Sequence, residues 1–435
     1  MTPRPLFRPS SDWAFPTPDV TTLDTGLVVW TYDLPGQFIL SCDLVLELPL
    51  NSEPAGLDGV ATIAVRSLDE GTDPHPGPEF AKALESVGAA FNGLVGLSTT
   101  QCLLDLPYDS LNEGLRLLAE AVTTPQLADS DVTRIIANRL AEIEQQQSRG
   151  SYVAASTLRE SVLAAHLRVA RPAGGTWETV SGVHQVDVAS FHDSCYTPTG
   201  ATMIIAGDLE GLDAQDAVNQ AFGGWDPSIS PLTPDLIAPG TQTRQIVHRD
   251  GAVQADIRMG WYGIDRHDPR WAGLQVGLAI MGGMFTSRLN TVLREEKGYT
   301  YGVSMNSHPF RSGGIIDLAA STRTPAAKDL IADALDILAA KPFTQEEVDQ
   351  AIGYLTLSAP LSFDTAEAVS SQAATLAAAR LPLDHVSSSL SAIRHVTPTA
   401  AYEAFTDLVD PTQASIIVVG DQDQLPDLAD LAFSL

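Results

Sequence analysis

Residues 196–209 read YTPTGATMIIAGDL, and residues 409–422 read VDPTQASIIVVGDQ. Pro198 and Pro411, Gly207 and Gly420, and Asp208 and Asp421 all stand 213 positions apart (411−198, 420−207, 421−208). Each stretch is a short apolar run stopped by Gly-Asp. Each follows a segment of helical spacing that carries a phenylalanine, Phe191 or Phe405. One such match arises by chance, but a match near the end of each half points to two copies of one fold. Between the copies, residues 223–245 (GGWDPSISPLTPDLIAPGTQTRQ) hold Pro227, Pro231, Pro234 and Pro239, with no helical or alternating pattern. Proline fixes the backbone angle and removes a donor, so this run reads as a semi-extended strap. The expected organisation is a first domain over 1–225, a linker over 226–243 and a second domain over 244–435.

Each half mixes strands and helices. In the first, 27–32 and 38–48 are apolar, β-rich runs split by Asp33-Leu34-Pro35-Gly36, which reads as a hairpin. Helical patterns follow at 57–68, 78–88, 109–122 and 129–149, the last carrying Ile135, Ile136, Leu140 and Ile143 at helical spacing. The second half predicts strands near 246–262, 300–306 and 313–321, and helices near 269–281, 285–296, 324–340 and 344–357. Strands and crossover helices do not alternate regularly. The expected class is therefore α+β, with a mostly antiparallel sheet and packed helices in each half.

The chain has 435 residues, 44% of them apolar and 18% charged, enough to build packed cores. No apolar run approaches the ~18–20 residues that span a bilayer. The opening MTPRPLFRPSSDWAFP lacks an apolar leader core. Cys42, Cys102 and Cys195 are odd in number and far apart, which fits a reducing cytoplasm. With 54 acidic and 25 basic residues the net charge is −29, which argues against nucleic acid and against an anionic membrane surface as partners.

The most informative segment chemically is Leu293-Arg294-Glu295-Glu296-Lys297-Gly298-Tyr299-Thr300-Tyr301-Gly302. A helix from about Phe285 should stop at Gly298, a good left-handed terminator. A strand from about Thr300 should put Tyr301, Val303 and Met305 on one face. Across that corner a guanidinium and a phenol can aim at one point and donate to a peptide carbonyl or a developing oxyanion.

This segment, extended to GGMFTSRLNTVLREEKGYTYGVS (282–304), resembles the second-half signature of the insulinase, pitrilysin and mitochondrial processing peptidase family. These are zinc peptidases of the inverted HxxEH type. EFAKALESVGAAFN (79–92), GTWETVSGVHQVDVASFHDSCYTPTGATMIIAGD (175–208) and FTQEEVDQA (343–351) extend the resemblance along most of the chain. It implies two α/β halves related by duplication, forming one half of a clamshell. It also implies that Arg294 and Tyr301 contact bound substrate.

The departure is as specific as the match. Where the family carries G-(L/V)-A-H-x-x-E-H-x-L-x-x-G-T, residues 59–72 read GVATIAVRSLDEGT. Gly59, Ala61, Leu68, Gly71 and Thr72 keep the frame. Thr62 and Arg66 stand in place of the histidines, and Val65 in place of the catalytic glutamate. Histidines at i and i+4 share one helix face and hence one zinc. A threonine hydroxyl is a poor neutral ligand, arginine is a fixed cation, and valine takes no proton from water. The family's remaining ligand is a glutamate roughly 75 residues further on, where Glu142 and Glu144 lie. No metal is expected in this chain. His75, His166, His184 and His192 read as loop or surface residues.

The resemblance therefore implies a non-catalytic subunit, inactive alone. It would bind extended or unfolded peptide and lend Arg294 and Tyr301 to the active site of a homologous HxxEH-bearing partner, which carries the zinc of the heterodimer. The rival expectation is a pseudoenzyme scaffold or peptide-binding protein with no part in hydrolysis.

Overall fold

The computed structural model describes residues 13–231, 233–339, 341–426, 428 and 431. Six strands form the first sheet: β1 (Asp19–Thr22), β2 (Val28–Asp33), β3 (Ile39–Leu46), β4 (Ala90–Val95), β5 (Thr100–Pro107) and β6 (Thr202–Gly207). Five form the second: β7 (Arg244–His248), β8 (Gln254–Gly263), β9 (Val303–Pro309), β10 (Gly314–Arg323) and β11 (Ser415–Gly420). The spatial orders are β1-β2-β6-β3-β5-β4 and β7-β11-β8-β10-β9. With β1 set aside they superpose term by term. In both, the Gly-Asp strand lies parallel to one neighbour (β2 or β7) and antiparallel to the other (β3 or β8). The class is α+β, as expected, and the motif 213 residues apart marks equivalent central strands.

The expected hairpin between β2 and β3 does not form, because β6 is inserted between them. The end of β6 satisfies the connecting turn instead. Leu34 N–H donates to the Gly207 carbonyl, Asp208 N–H to the Gln37 carbonyl, and Gly36 N–H to Asp208 Oδ2 at 2.7 Å. That contact gives the Gly-Asp stop its structural use.

The halves exchange helices. One face of the first sheet carries Leu40, Cys42 and Leu44 into its own core beneath the Val60–Arg66 and Leu111–Thr123 helices. Its other face, with Tyr32, Val45, Ile204 and Ala206, is covered by the Ala366–Ala379 helix of the second half. Reciprocally, Ile315, Ile417 and Val419 of the second sheet pack on the Gly150–Val162 helix of the first. Central strands buried on both faces read as continuous apolar runs, and β6 and β11 are buried throughout. The Pro-rich strap is tied to both halves: Thr197 Oγ1 donates to the Ile229 carbonyl, and Ile237 N–H to Ser312 Oγ. No helix among the described residues is long and apolar enough to cross a membrane.

Candidate functional site

The Val60–Arg66 helix carries the degenerate motif. It starts after Gly59, whose φ of 103° is open to glycine at little cost. Its orphan N-terminal donors are met by a buried carboxylate: Glu53 Oε1 accepts from Gly59 N–H at 2.9 Å and Ala61 N–H at 3.0 Å. Glu53 Oε2 takes Arg168 Nε at 2.6 Å, with both side chains buried. The rest of that guanidinium donates to the carbonyls of Arg171, Pro172 and Ala173. Reading the sequence did not single out Glu53 or Arg168. Charged residues this far apart give no local pattern, yet they set the helix start and the 168–174 loop.

Thr62 is buried and Val65 is 1% exposed. The Val65 side chain lies so close to β4 that a Cβ added at Gly93 would meet Val65 Cγ2 at 2.5 Å. The position of the general base is thus filled by alkyl packing. Arg66 reaches the Asp129–Gln147 helix, where its Nη1 lies 2.9 Å from both carboxylate oxygens of Glu142. Arg139, one turn earlier and buried, donates to Glu142 Oε2 at 3.0 Å and to the Gly174 carbonyl at 2.9 Å. Burial pushes the Glu142 carboxyl up, and the hydrogen bonds and charges of Arg66 and Arg139 outweigh it, holding the group below the usual carboxylate range. Of the two glutamates in the region of the family's remaining ligand, Glu142 is therefore clasped by two cations, and Glu144 is exposed. These residues do not fit a zinc ion: the motif offers a hydroxyl, an alkyl group and a guanidinium. Among the described residues no group of three or more His, Cys, Asp or Glu side chains is placed to hold a metal. A cavity of about 410 Å³ opens beside Thr62, Val65 and Arg66.

Of the histidines read as loop or surface, His192 is buried. Its Nε2 lies 2.9 Å from the Val122 carbonyl and its ring 4.6 Å from that of Tyr196. It faces the first core from the Gln185–Cys195 helix, a position its polarity disguised.

Arg294 lies on the π-helical stretch Asn290–Glu296, and the chain turns at Gly298 with φ 63°, as expected of a left-handed terminator. The strand begins later than expected, at Val303. Tyr301 therefore does not share a strand face with Val303 and Met305 but stands in the preceding turn, 97% exposed. The turn consumes these residues because Thr300 Oγ1 bonds both the N–H and the carbonyl of Gly302. Its base is braced by buried Asn290, which donates to the carbonyls of Met284 and Val303 and accepts Val303 N–H at 2.9 Å. The Arg294 guanidinium stacks 3.6 Å from the Phe285 ring centroid and pairs with Glu295 at 2.7 Å. Arg294 and Tyr301 share one corner, with no hydrogen bond between them, and neither lines the cavity at Thr62.

The model of the insulinase family (peptidase family M16) matches residues 44–171, and that of the peptidase M16 inactive domain matches residues 185–355. The chain belongs to peptidase family M16. An uncharacterized zinc protease of Streptomyces coelicolor is 24% identical over 79% of this chain and 77% of its own length. A non-peptidase homolog of Helicobacter pylori is 23% identical over 71% of this chain and 72% of its own length. Among solved structures, a peptidase M16 inactive domain from Pseudomonas fluorescens superposes with a TM-score of 0.85. It is 21% identical, covering 94% of this chain and all of that one. For this M16 chain that likeness establishes the fold, and the chemistry must be argued from its own side chains.

Proposed function

We propose that this M16 chain is the non-catalytic, substrate-binding subunit of a heterodimeric zinc metallopeptidase that cleaves extended or unfolded peptides. A homologous HxxEH-bearing subunit would hold the zinc and activate the water. Arg294 and Tyr301 of this chain would bind the scissile-bond region and stabilise its oxyanion. The observation that carries this reading is the contrast between two corners. At one, Val65 and the Arg66–Glu142 pair occupy the positions of hydrolytic groups. At the other, a phenol stands 97% exposed on a turn braced by Asn290. An exposed phenol held on a rigid base has its donor free for a ligand that arrives from outside the chain. Peptide added along a sheet edge would be read through its backbone, consistent with broad sequence tolerance.

The test is hydrolysis of an unstructured peptide by this chain, by an HxxEH M16 protein and by their mixture. Activity is expected in the mixture and absent from this chain alone. Arg294→Ala or Tyr301→Phe should lower turnover by roughly 10²–10³, the usual cost of losing one oxyanion donor, with zinc content of the partner unchanged. Full activity in both variants would refute the role. One feature favours the alternative of a scaffold or peptide-binding protein with no part in hydrolysis: Arg294 is already engaged by Phe285 and Glu295. On that reading the two chains co-elute and the variants change nothing.

A further inference from the structure

The cavity beside the degenerate motif has a chemistry that the loss of zinc ligands does not explain. The Gly150–Val162 helix forms one wall. Ala154, Leu158 and Val162 on one side of it are buried against the second sheet. Tyr152, Ser156 and Arg159, at i, i+4 and i+7, turn to the cavity. Arg66 and Arg139 line the same space, so three guanidiniums meet there in a chain of net charge −29, and no carboxylate is among the lining residues.

Two of these cations are accounted for. Arg66 and Arg139 share Glu142, and Arg139 is further held by Gly174 and Gln146. Arg168, whose charge bears on Arg159, is neutralised by Glu53 and Asp58. The Arg159 guanidinium makes no ion pair and no hydrogen bond within the described residues, and neither does the Tyr152 hydroxyl. Burial and the nearby Arg168 charge hold the Arg159 guanidinium below its usual range. Arg159 is half-buried, and a guanidinium that lines a cavity without a counter-charge can donate charge-assisted hydrogen bonds to an arriving anion. The remaining wall is apolar, with Val65, Leu94, Val95, Ala170 and Pro172. A bare inorganic ion would leave that surface unused.

We infer that this cavity binds a carboxylate carried on a small apolar body, such as the C-terminal residue of a short peptide, with Arg159 and Tyr152 as the donors. The volume of about 410 Å³ suits a ligand of that size. The site is separate from Arg294 and Tyr301 and stands whether or not the chain assists hydrolysis.

Calorimetric titration of the full chain at low salt tests this with three probes: N-acetyl-leucyl-alanine as free acid, its C-terminal amide, and inorganic phosphate. The acid should bind one to one. The amide and phosphate should each bind at least tenfold more weakly, as expected for loss of a charge-assisted contact or of the apolar one. Arg159→Gln should lower affinity for the acid by roughly tenfold or more, and Tyr152→Phe by a few-fold. Arg159→Gln should melt no lower than the parent, since it removes an uncompensated charge. The inference is overturned if the acid does not bind, if acid and amide bind equally, or if phosphate binds as tightly as the acid. It is overturned equally if Arg159→Gln binds like the parent, or if that variant melts well below it, which would mark Arg159 as a structural residue.

Discussion

Asp43 offers the sharpest quantitative test of how the two halves are joined. It lies on β3 in phase with Val45, on the face covered by the Ala366–Ala379 helix, and is 1% exposed. Neither carboxylate oxygen has a hydrogen-bond partner, and the same is true of buried Ser370 Oγ on that helix. Burial first, and then the charge of Asp105 on the neighbouring strand, push the Asp43 carboxyl up to about 8. Glu47, just beyond β3 and in the same phase, is paired with Arg311. The native carboxyl thus holds its proton more tightly than the unfolded one, whose value is about 3.9. Its contribution to stability is complete below about pH 4. It is lost as pH climbs towards about 8, at up to ~1.4 kcal/mol per pH unit. Across that window the loss is on the order of 5 kcal/mol, a large share of a typical folding free energy. Asp43→Asn keeps the shape and removes the titration. Urea unfolding at pH 5, 7 and 9 should find the variant within about 2 kcal/mol of the parent at pH 5 and several kcal/mol more stable at pH 9. Parallel stability profiles for the two proteins from pH 5 to 9 would refute the reasoning.

Other residues make separate predictions. Glu53→Ala removes the closer of the two carboxylates that pair buried Arg168 and uncaps the Val60–Arg66 helix, so urea denaturation should show a loss of about 3 kcal/mol. Asn290→Ala strips both backbone groups of Val303 of their buried partner; a loss of about 2–3 kcal/mol is expected, with faster amide exchange over 297–303. Glu142→Gln should cost about 1–3 kcal/mol at neutral pH: the Arg66 pair is half-exposed, but buried Arg139 loses its counter-charge. Since the Glu142 value is lowered on folding, the parent's advantage should be present above about pH 4.3 and vanish as pH falls through the folded value.

Much of the architecture was legible because it is written in local or repeated signals. The 213-residue offset located equivalent central strands β6 and β11, and Gly298 located the end of the helix that carries Arg294. What escaped depends on contacts between distant segments. The run through Ser41, Asp43 and Glu47 carries polar groups on alternate positions, yet a helix more than 300 residues later covers them. Pattern along one strand cannot reveal which element of another half lies on it. The turn at Asp33–Gly36 had hairpin chemistry, but the strand that pairs there comes from residues 202–207. At the site, sequence identified which groups replace the zinc ligands. It did not disclose that Arg66 and Glu142 meet, nor that Arg159 faces the same space.

The ion pair explains how the frame can keep its shape with these residues at the motif positions. A metal held between the 60–66 and 129–147 helices would also link them mechanically. Here Arg66 on one helix and Glu142 on the other, with Arg139 supporting, provide a link between the same two elements. Val65 packs against Gly93 and puts an alkyl group where a glutamate would stand. The substitutions at positions 62, 65 and 66 therefore belong together. An arginine at 66 without Glu142 would be a loose cation, and Glu142 without a cation would face two helices with its charge unmatched. Turning metal ligation into ion pairing changes the sign of the cavity: a site that attracts a cation becomes one lined by guanidiniums. Glu142 already answers the charges of Arg66 and Arg139. The cation left without a partner is Arg159, which lies on a third helix and outside the motif.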